Sequence, residues 1–138
     1  MRAASDSVFM SSEDTSPASA IRVLVVDDEP SMRTILQLYL QEEGWEIVTA
    51  SDGAEGLQRF QQEKFDLVMT DRAMPEMNGD ELAREIKKLN PQQPLLLLTG
   101  FGDLMSGSGE QPEGVDLVVS KPFTLTTLRN AIAKVTTR

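Results

Sequence analysis

Five short apolar runs recur along this chain, and a segment of helical periodicity follows nearly every one. The runs are "IRVLVV" (21–26), "WEIVTA" (45–50), "FDLVMT" (65–70), "PLLLLT" (94–99) and "VDLVVS" (115–120). Each is short, β-branched or leucine-rich, and bounded by turn or charged residues, which predicts buried strands. Between them, Ser31–Glu43 places Met32, Ile35, Leu36, Tyr39 and Leu40 at helical spacing, with Gly44 as a C-terminal glycine. Ser51–Glu63 predicts a helix capped by Asp52, with Ala54, Leu57 and Phe60 facing in. Asp80–Leu89 turns Leu82, Ala83, Ile86 and Leu89 inward, and Thr124–Val135 aligns Leu125, Leu128, Ile132 and Val135. Strands alternating with helices imply crossover units and a parallel α/β sheet covered on both faces, and right-handed crossovers leave few topologies. One unit breaks the rhythm. In Asp103–Gly114, "DLMSGSGEQPEG", the glycines and Pro112 oppose a helix, so the fourth helix is expected to be shortened or disordered.

The 138 residues suit a single domain. Residues 1–20, "MRAASDSVFMSSEDTSPASA", are Ser- and Ala-rich, acidic and aperiodic, and read as a disordered tail or linker before a domain at 21–138. A net charge of −9 disfavours nucleic acid and anionic membrane surfaces. No run reaches the length of a membrane span, and Arg2 is not followed by an apolar signal segment. The expected location is the cytoplasm. Cys and His are both absent, which removes disulfides, thiolate sites, and histidine acid–base or metal chemistry. Any phosphoryl relay through histidine needs that histidine on another molecule.

Ligands of an open parallel sheet bind at the carboxyl ends of its strands. There the first run ends in Asp27, Asp28 and Glu29, the third in Asp71, the fourth in Thr99, and the fifth in Ser120 and Lys121. Neighbouring carboxylates repel unless a cation or proton joins them. With oxygen ligands alone, the fitting cation is hard, Mg²⁺ before Ca²⁺ or Mn²⁺. An Asp carboxylate can attack phosphorus to form an aspartyl phosphate. A metal, a lysine and a hydroxyl would then compensate the phosphoryl oxygens.

With these residues in place, Ile21–Val135 resembles the response-regulator receiver domains of two-component systems. "VLVVDDEPSMR" is similar to the family's first strand and acidic pair, and "FDLVMTDRAMPEMNGDELAREI" to its acceptor strand and following loop. "LLLLTG" and "VSKPF" are similar to its Thr and Lys motifs. The resemblance implies a flavodoxin-like, doubly wound five-stranded sheet of order 2-1-3-4-5. It implies phosphorelay signal transduction, in which Asp71 takes a phosphoryl group from a partner histidine kinase or phosphotransfer protein. Switching a surface for a downstream protein target follows, with no turnover of a substrate. It implies Mg²⁺ held by Asp28 directly, Asp27 through water, Asp71 and the Ala73 carbonyl. Thr99 would bond the phosphoryl group, and Lys121 would pair with acceptor or phosphoryl. The Lys121–Pro122 bond is usually cis in the family. The chain is expected to be a stand-alone receiver or the receiver of a larger hybrid kinase.

Departures from the family pattern qualify these expectations. Val118 stands where many receivers carry an aromatic residue, three before the lysine. With the Asp103–Gly114 segment, this predicts an altered output surface, or ordering of that segment on phosphorylation. Ala73 and Phe101, two residues after Asp71 and Thr99, are apolar, which predicts slow self-catalysed dephosphorylation. Two other functions compete. A haloacid-dehalogenase-like phosphohydrolase uses a similar residue set but needs an acid where Ala73 stands. A binding module that is never phosphorylated would make no use of the acceptor set. Singly, each site residue has a plain structural explanation: Asp28 or Glu29 as helix-start charges, Asp71 as a cap, Lys121 as a solvated charge.

Overall fold

A strand sandwiched between two helical layers has no solvent face, so both of its sides must be apolar. The computed structural model, which describes residues 21–100 and 112–136, contains five strands, three of them buried almost throughout and two only in part. They are β1 Arg22–Val26, β2 Glu46–Ala50, β3 Leu67–Asp71, β4 Leu95–Thr99 and β5 Leu117–Ser120. All pairings are parallel and the order is β2-β1-β3-β4-β5, the expected doubly wound arrangement. The described helices are α1 Pro30–Gln41, α2 Gly53–Gln62, α3 Gly79–Leu89 and α4 Leu125–Thr136. Residues 1–20, read as a tail, lie outside the described residues, as does most of the Asp103–Gly114 segment.

Alternation along the central strands splits the core in two. Val23, Val25, Leu67, Met69, Leu96, Leu98 and Val119 pack beneath α1 and α4, against Leu36, Leu40, Leu128, Ile132 and Val135. Leu24, Val26, Val68, Leu95 and Leu97 face the other way, against Leu82, Ala83 and Ile86 of α3 and the partly buried Leu57 and Phe60 of α2. Helices therefore cover both faces. Pro30 opens α1, where its missing N–H is no loss. Asp52 caps α2 by accepting from the Glu55 N–H at 2.8 Å. Asn78 and Glu81 form a reciprocal capping box on α3.

Three helix faces differ from the periodicity reading. Ala54 is exposed, and α2 buries Gly53 and Gly56 instead. A Cβ at Gly56 would come within 2.8 Å of Val26 Cγ2, so α2 lies against β1 through glycine rather than alanine. Leu89, the last residue of α3, is 53% exposed. Ile35 and Tyr39 are exposed on α1, whose buried stripe is confined to Leu36 and Leu40.

Candidate functional site

The strand register carries the acidic residues to one edge. Val26 lies opposite Thr70, so Asp27 and Asp71 come one residue further on, at neighbouring strand ends. Thr99 pairs with Ser120, and the Lys121 N–H donates to the Thr99 carbonyl at 2.7 Å. The chain then turns at a cis Lys121–Pro122 bond, as the resemblance implied. The Lys121 ammonium donates to Asp71 Oδ1 at 2.8 Å and lies 3.6 Å from Asp27 Oδ2. Asp27, Asp28 and Asp71 each offer a carboxylate oxygen within 4.8 Å of the others. Asp27, Asp28, Asp71, Thr99 and Lys121 thus lie at one sheet edge.

Burial sets the electrostatics. Asp27 and Thr99 are each 1% exposed and Asp71 6% exposed, while Asp28 is open to solvent. Burial pushes the Asp71 carboxyl above its ordinary value, and the charge of Asp28 adds to this. The Lys121 hydrogen bond and charge, with the Arg72 backbone N–H, oppose the rise without cancelling it. Asp27 is likewise pushed up, first by burial and further by Asp71 and Asp28. A bond from the Glu29 N–H to Asp27 Oδ1 at 2.9 Å works the other way. For Lys121, burial favours the neutral amine, but the bond to Asp71 and the charges of Asp71 and Asp27 outweigh it, so its value is raised.

Among the described residues, positive charge in the arrangement falls short of the negative. Asp27 Oδ2 and Thr99 Oγ1 are buried without a hydrogen-bond partner among the described residues. A buried carboxylate oxygen in that state is costly. Three carboxylates with one ammonium leave this sheet edge net negative among the described residues, and a hard divalent cation fits the oxygen donor set. Exposed Ala73, two residues beyond Asp71, begins the loop that returns to α3.

Several contributors were not visible in the sequence. The Arg33 guanidinium donates to the Asp27 carbonyl at 2.6 Å, tying the first turn of α1 to the acid loop. Glu29, read as a helix-start charge, acts through its backbone N–H and is the N-cap of α1 with no side-chain cap bond. Arg72 bonds Asp80 across the β3–α3 loop at 3.1 Å. Phe101, singled out beside Thr99, lies outside the described residues.

Comparison with known proteins agrees with this geometry. Residues 23–133 match the family model described as "Response regulator receiver domain". The chain is 40% identical over 110 residues to the transcriptional regulatory protein GlrR of Escherichia coli, covering 80% of this chain and 25% of GlrR. It is 35% identical over 113 residues to the response regulator receiver protein CpdR of Brucella abortus, covering 82% of this chain and 94% of CpdR. The chain therefore spans about a quarter of one relative and nearly all of another. Among solved structures, a response regulator receiver domain protein from Clostridium thermocellum superposes with a TM-score of 0.78 at 36% identity, covering 84% of this chain and 94% of that one. The response regulator TrrA from Thermotoga maritima, solved in complex with Mg²⁺–BeF, gives 0.75 at 39% identity, covering 83% of this chain and 98% of that one.

Proposed function

The chain belongs to the response regulator receiver domain family of two-component phosphorelay signalling, and from that premise we propose that Asp71 accepts a phosphoryl group from a partner phosphohistidine. The observation that carries this reading is the 2.8 Å bond from Lys121 to a buried Asp71, beside two further carboxylates within 4.8 Å. Burial raises the energy of the Asp71 carboxylate, and the hydrogen bond and charge of Lys121 favour its ionised form and orient it for attack on phosphorus.

Asp27, Asp28, Asp71 and the Ala73 carbonyl would hold Mg²⁺, as the donor set allows and as the Mg²⁺–BeF complex of TrrA supports. Bound there, the ion would supply charge to the phosphoryl oxygens. As the Asp71–phosphorus bond forms and the donor's bond to nitrogen breaks, Lys121 moves from the carboxylate toward a phosphoryl oxygen. Thr99 Oγ1, buried and unpartnered among the described residues, turns to donate to another.

The proposed phosphodonor is a histidine kinase or phosphotransfer protein, as receiver family membership supports; these 138 residues contain no His, so the donor imidazole lies outside them. Ile35, Leu38 and Tyr39 are 41%, 58% and 39% exposed on α1, the helix that starts directly after the acid pair. An exposed apolar strip at this position suits a helical partner. The family is a signalling module, and Ala73 offers no acid for ester hydrolysis, so no substrate turnover is proposed. Among the described residues no helix is long and apolar enough to cross a membrane. Membership of the receiver family supports a cytoplasmic location.

A phosphoramidate donor, the small-molecule form of a phosphorus–nitrogen bond, tests the assignment. In Mg²⁺ the wild-type chain is expected to acquire an acid-stable, base-labile acyl phosphate, and Asp71→Asn none. Transfer that persists in Asp71→Asn would remove Asp71 from the acceptor role.

A further inference from the structure

Arg72 follows the acceptor directly and joins both ends of the loop that leads to α3. Its N–H donates to the Leu98 carbonyl at 2.9 Å, which fixes it to β4. Its carbonyl accepts from the Met74 N–H at 3.1 Å and from the Gly79 N–H at 2.9 Å. Its guanidinium donates through Nη2 to Asp80 Oδ2 at 3.1 Å, with the two side chains 33% and 17% exposed. Asp80 Oδ1 is buried without a partner among the described residues. The carboxylate thus depends on Arg72 and on the start of α3, where negative charge is favoured. A helix-start acid needs no arginine from across a loop, so the dipole alone does not explain the pair.

We propose that the Arg72–Asp80 ion pair is a positioning latch that closes the loop over 73–78 and so fixes the Ala73 carbonyl, beside Asp71, for divalent-cation binding. The idea rests on the reading of Asp71 and Ala73 as metal ligands. Neither the Arg72 guanidinium nor the Asp80 carboxylate touches the reacting atoms; both side chains act through the loop backbone. Opening the latch leaves Asp27, Asp28 and Asp71 in place but frees the Ala73 carbonyl to wander, and cation affinity falls.

Charge and latch make opposite forecasts, which gives the test its sign. Through space, removing the Arg72 cation makes the site more negative and tightens a bound cation. If the side chain acts as a latch, its removal weakens binding. The probe is Mn²⁺, titrated into metal-free protein and followed by electron paramagnetic resonance, with thermal melts confirming that each variant is folded. Arg72→Ala and Asp80→Ala are each expected to weaken Mn²⁺ binding about tenfold, the usual scale for groups that orient ligands. The double variant is expected to be no weaker than either single one, because both changes break one bond. Asp80→Asn retains an acceptor oxygen for Arg72 and is expected to stay within about threefold of wild type.

Tighter or unchanged binding in Arg72→Ala would overturn the latch. So would losses that multiply to about a hundredfold in the double variant. An Asp80→Asn loss as large as that of Asp80→Ala would also overturn it, by showing that charge rather than the bond matters. Phosphoryl uptake from acetyl phosphate is measured on the same samples. A wild-type protein that binds Mn²⁺ but takes up no phosphoryl group contradicts the acceptor role alone, while the titrations still decide the latch.

Discussion

Gly79 lies against the back of Asp71: a Cβ at position 79 would overlap the Asp71 carbonyl, with Leu97 Cδ1 at 2.7 Å and the Arg72 Cα at 2.9 Å. The first residue of α3 is therefore packed directly onto the acceptor strand, and only hydrogen fits between them. Gly79→Ala is expected to destabilise the domain by about 1–3 kcal/mol, the range for overpacking a closed site. Urea denaturation measures this. A change below about 0.5 kcal/mol would mean that the backbone shifts freely and that the contact does not hold Asp71.

Metal-free stability carries the cost of the acid cluster. Burial holds the Asp27 and Asp71 carboxyls above the ordinary Asp value of 3.8. A group with a raised value in the folded state contributes stability that is complete below the ordinary value. That contribution is lost as pH rises through the folded value. In EDTA the wild-type protein is expected to lose stability, through these two groups, as pH rises from about 4 toward neutrality. Asp27→Asn removes one buried charge and is expected to be more stable than wild type at pH 7 in EDTA, by on the order of 1 kcal/mol. Added Mg²⁺ is expected to stabilise wild type more than the variant. A variant less stable than wild type in EDTA at pH 7 would contradict this.

Glu76 occupies the left-handed region at φ 68° in the loop between Asp71 and α3. A side chain there costs about 1–2 kcal/mol, partly offset in a glycine variant by the greater freedom of the unfolded chain. Glu76→Gly is expected to stabilise the fold by about 0.5 kcal/mol, read from the urea midpoint at constant slope. A loss of that size would show that the Glu76 side chain makes a compensating contact.

Ala73 is exposed at the start of the same loop and has no group to orient water. The phosphorylated protein is expected to be long-lived, and Ala73→Asn is expected to shorten the half-life severalfold by supplying an amide near the phosphoryl group. The decay of the phosphorylated mass after removal of donor measures it. An unchanged half-life would assign the persistence to another residue.

The strands were legible because a doubly covered sheet demands apolar runs, and 21–26, 65–70 and 94–99 carry no other signal. Asp27, Asp71, Thr99 and Lys121 were legible as a set for a related reason: parallel topology sends every strand end to the same edge. Helix faces were less legible. Ala54 was expected inside, but α2 packs so closely on Val26 that glycine, not alanine, faces the sheet. Leu89 kept the helical spacing yet is exposed at the last position of α3. The Arg72–Asp80 bond and the Gly79 contact depend on a short loop folding back on its own origin, and no periodicity reports that. The bond from the Glu29 N–H to Asp27 was hidden because it is made by backbone, while the side chain drew attention as a charge.

Intact-mass measurement after incubation with acetyl phosphate tests the central assignment most directly. In Mg²⁺, wild type is expected to gain the mass of one phosphoryl group, and to gain none in EDTA. Asp71→Asn is expected to gain none in either condition. A gain that survives in Asp71→Asn, or that proceeds equally in EDTA, would contradict a cation-dependent acceptor at Asp71.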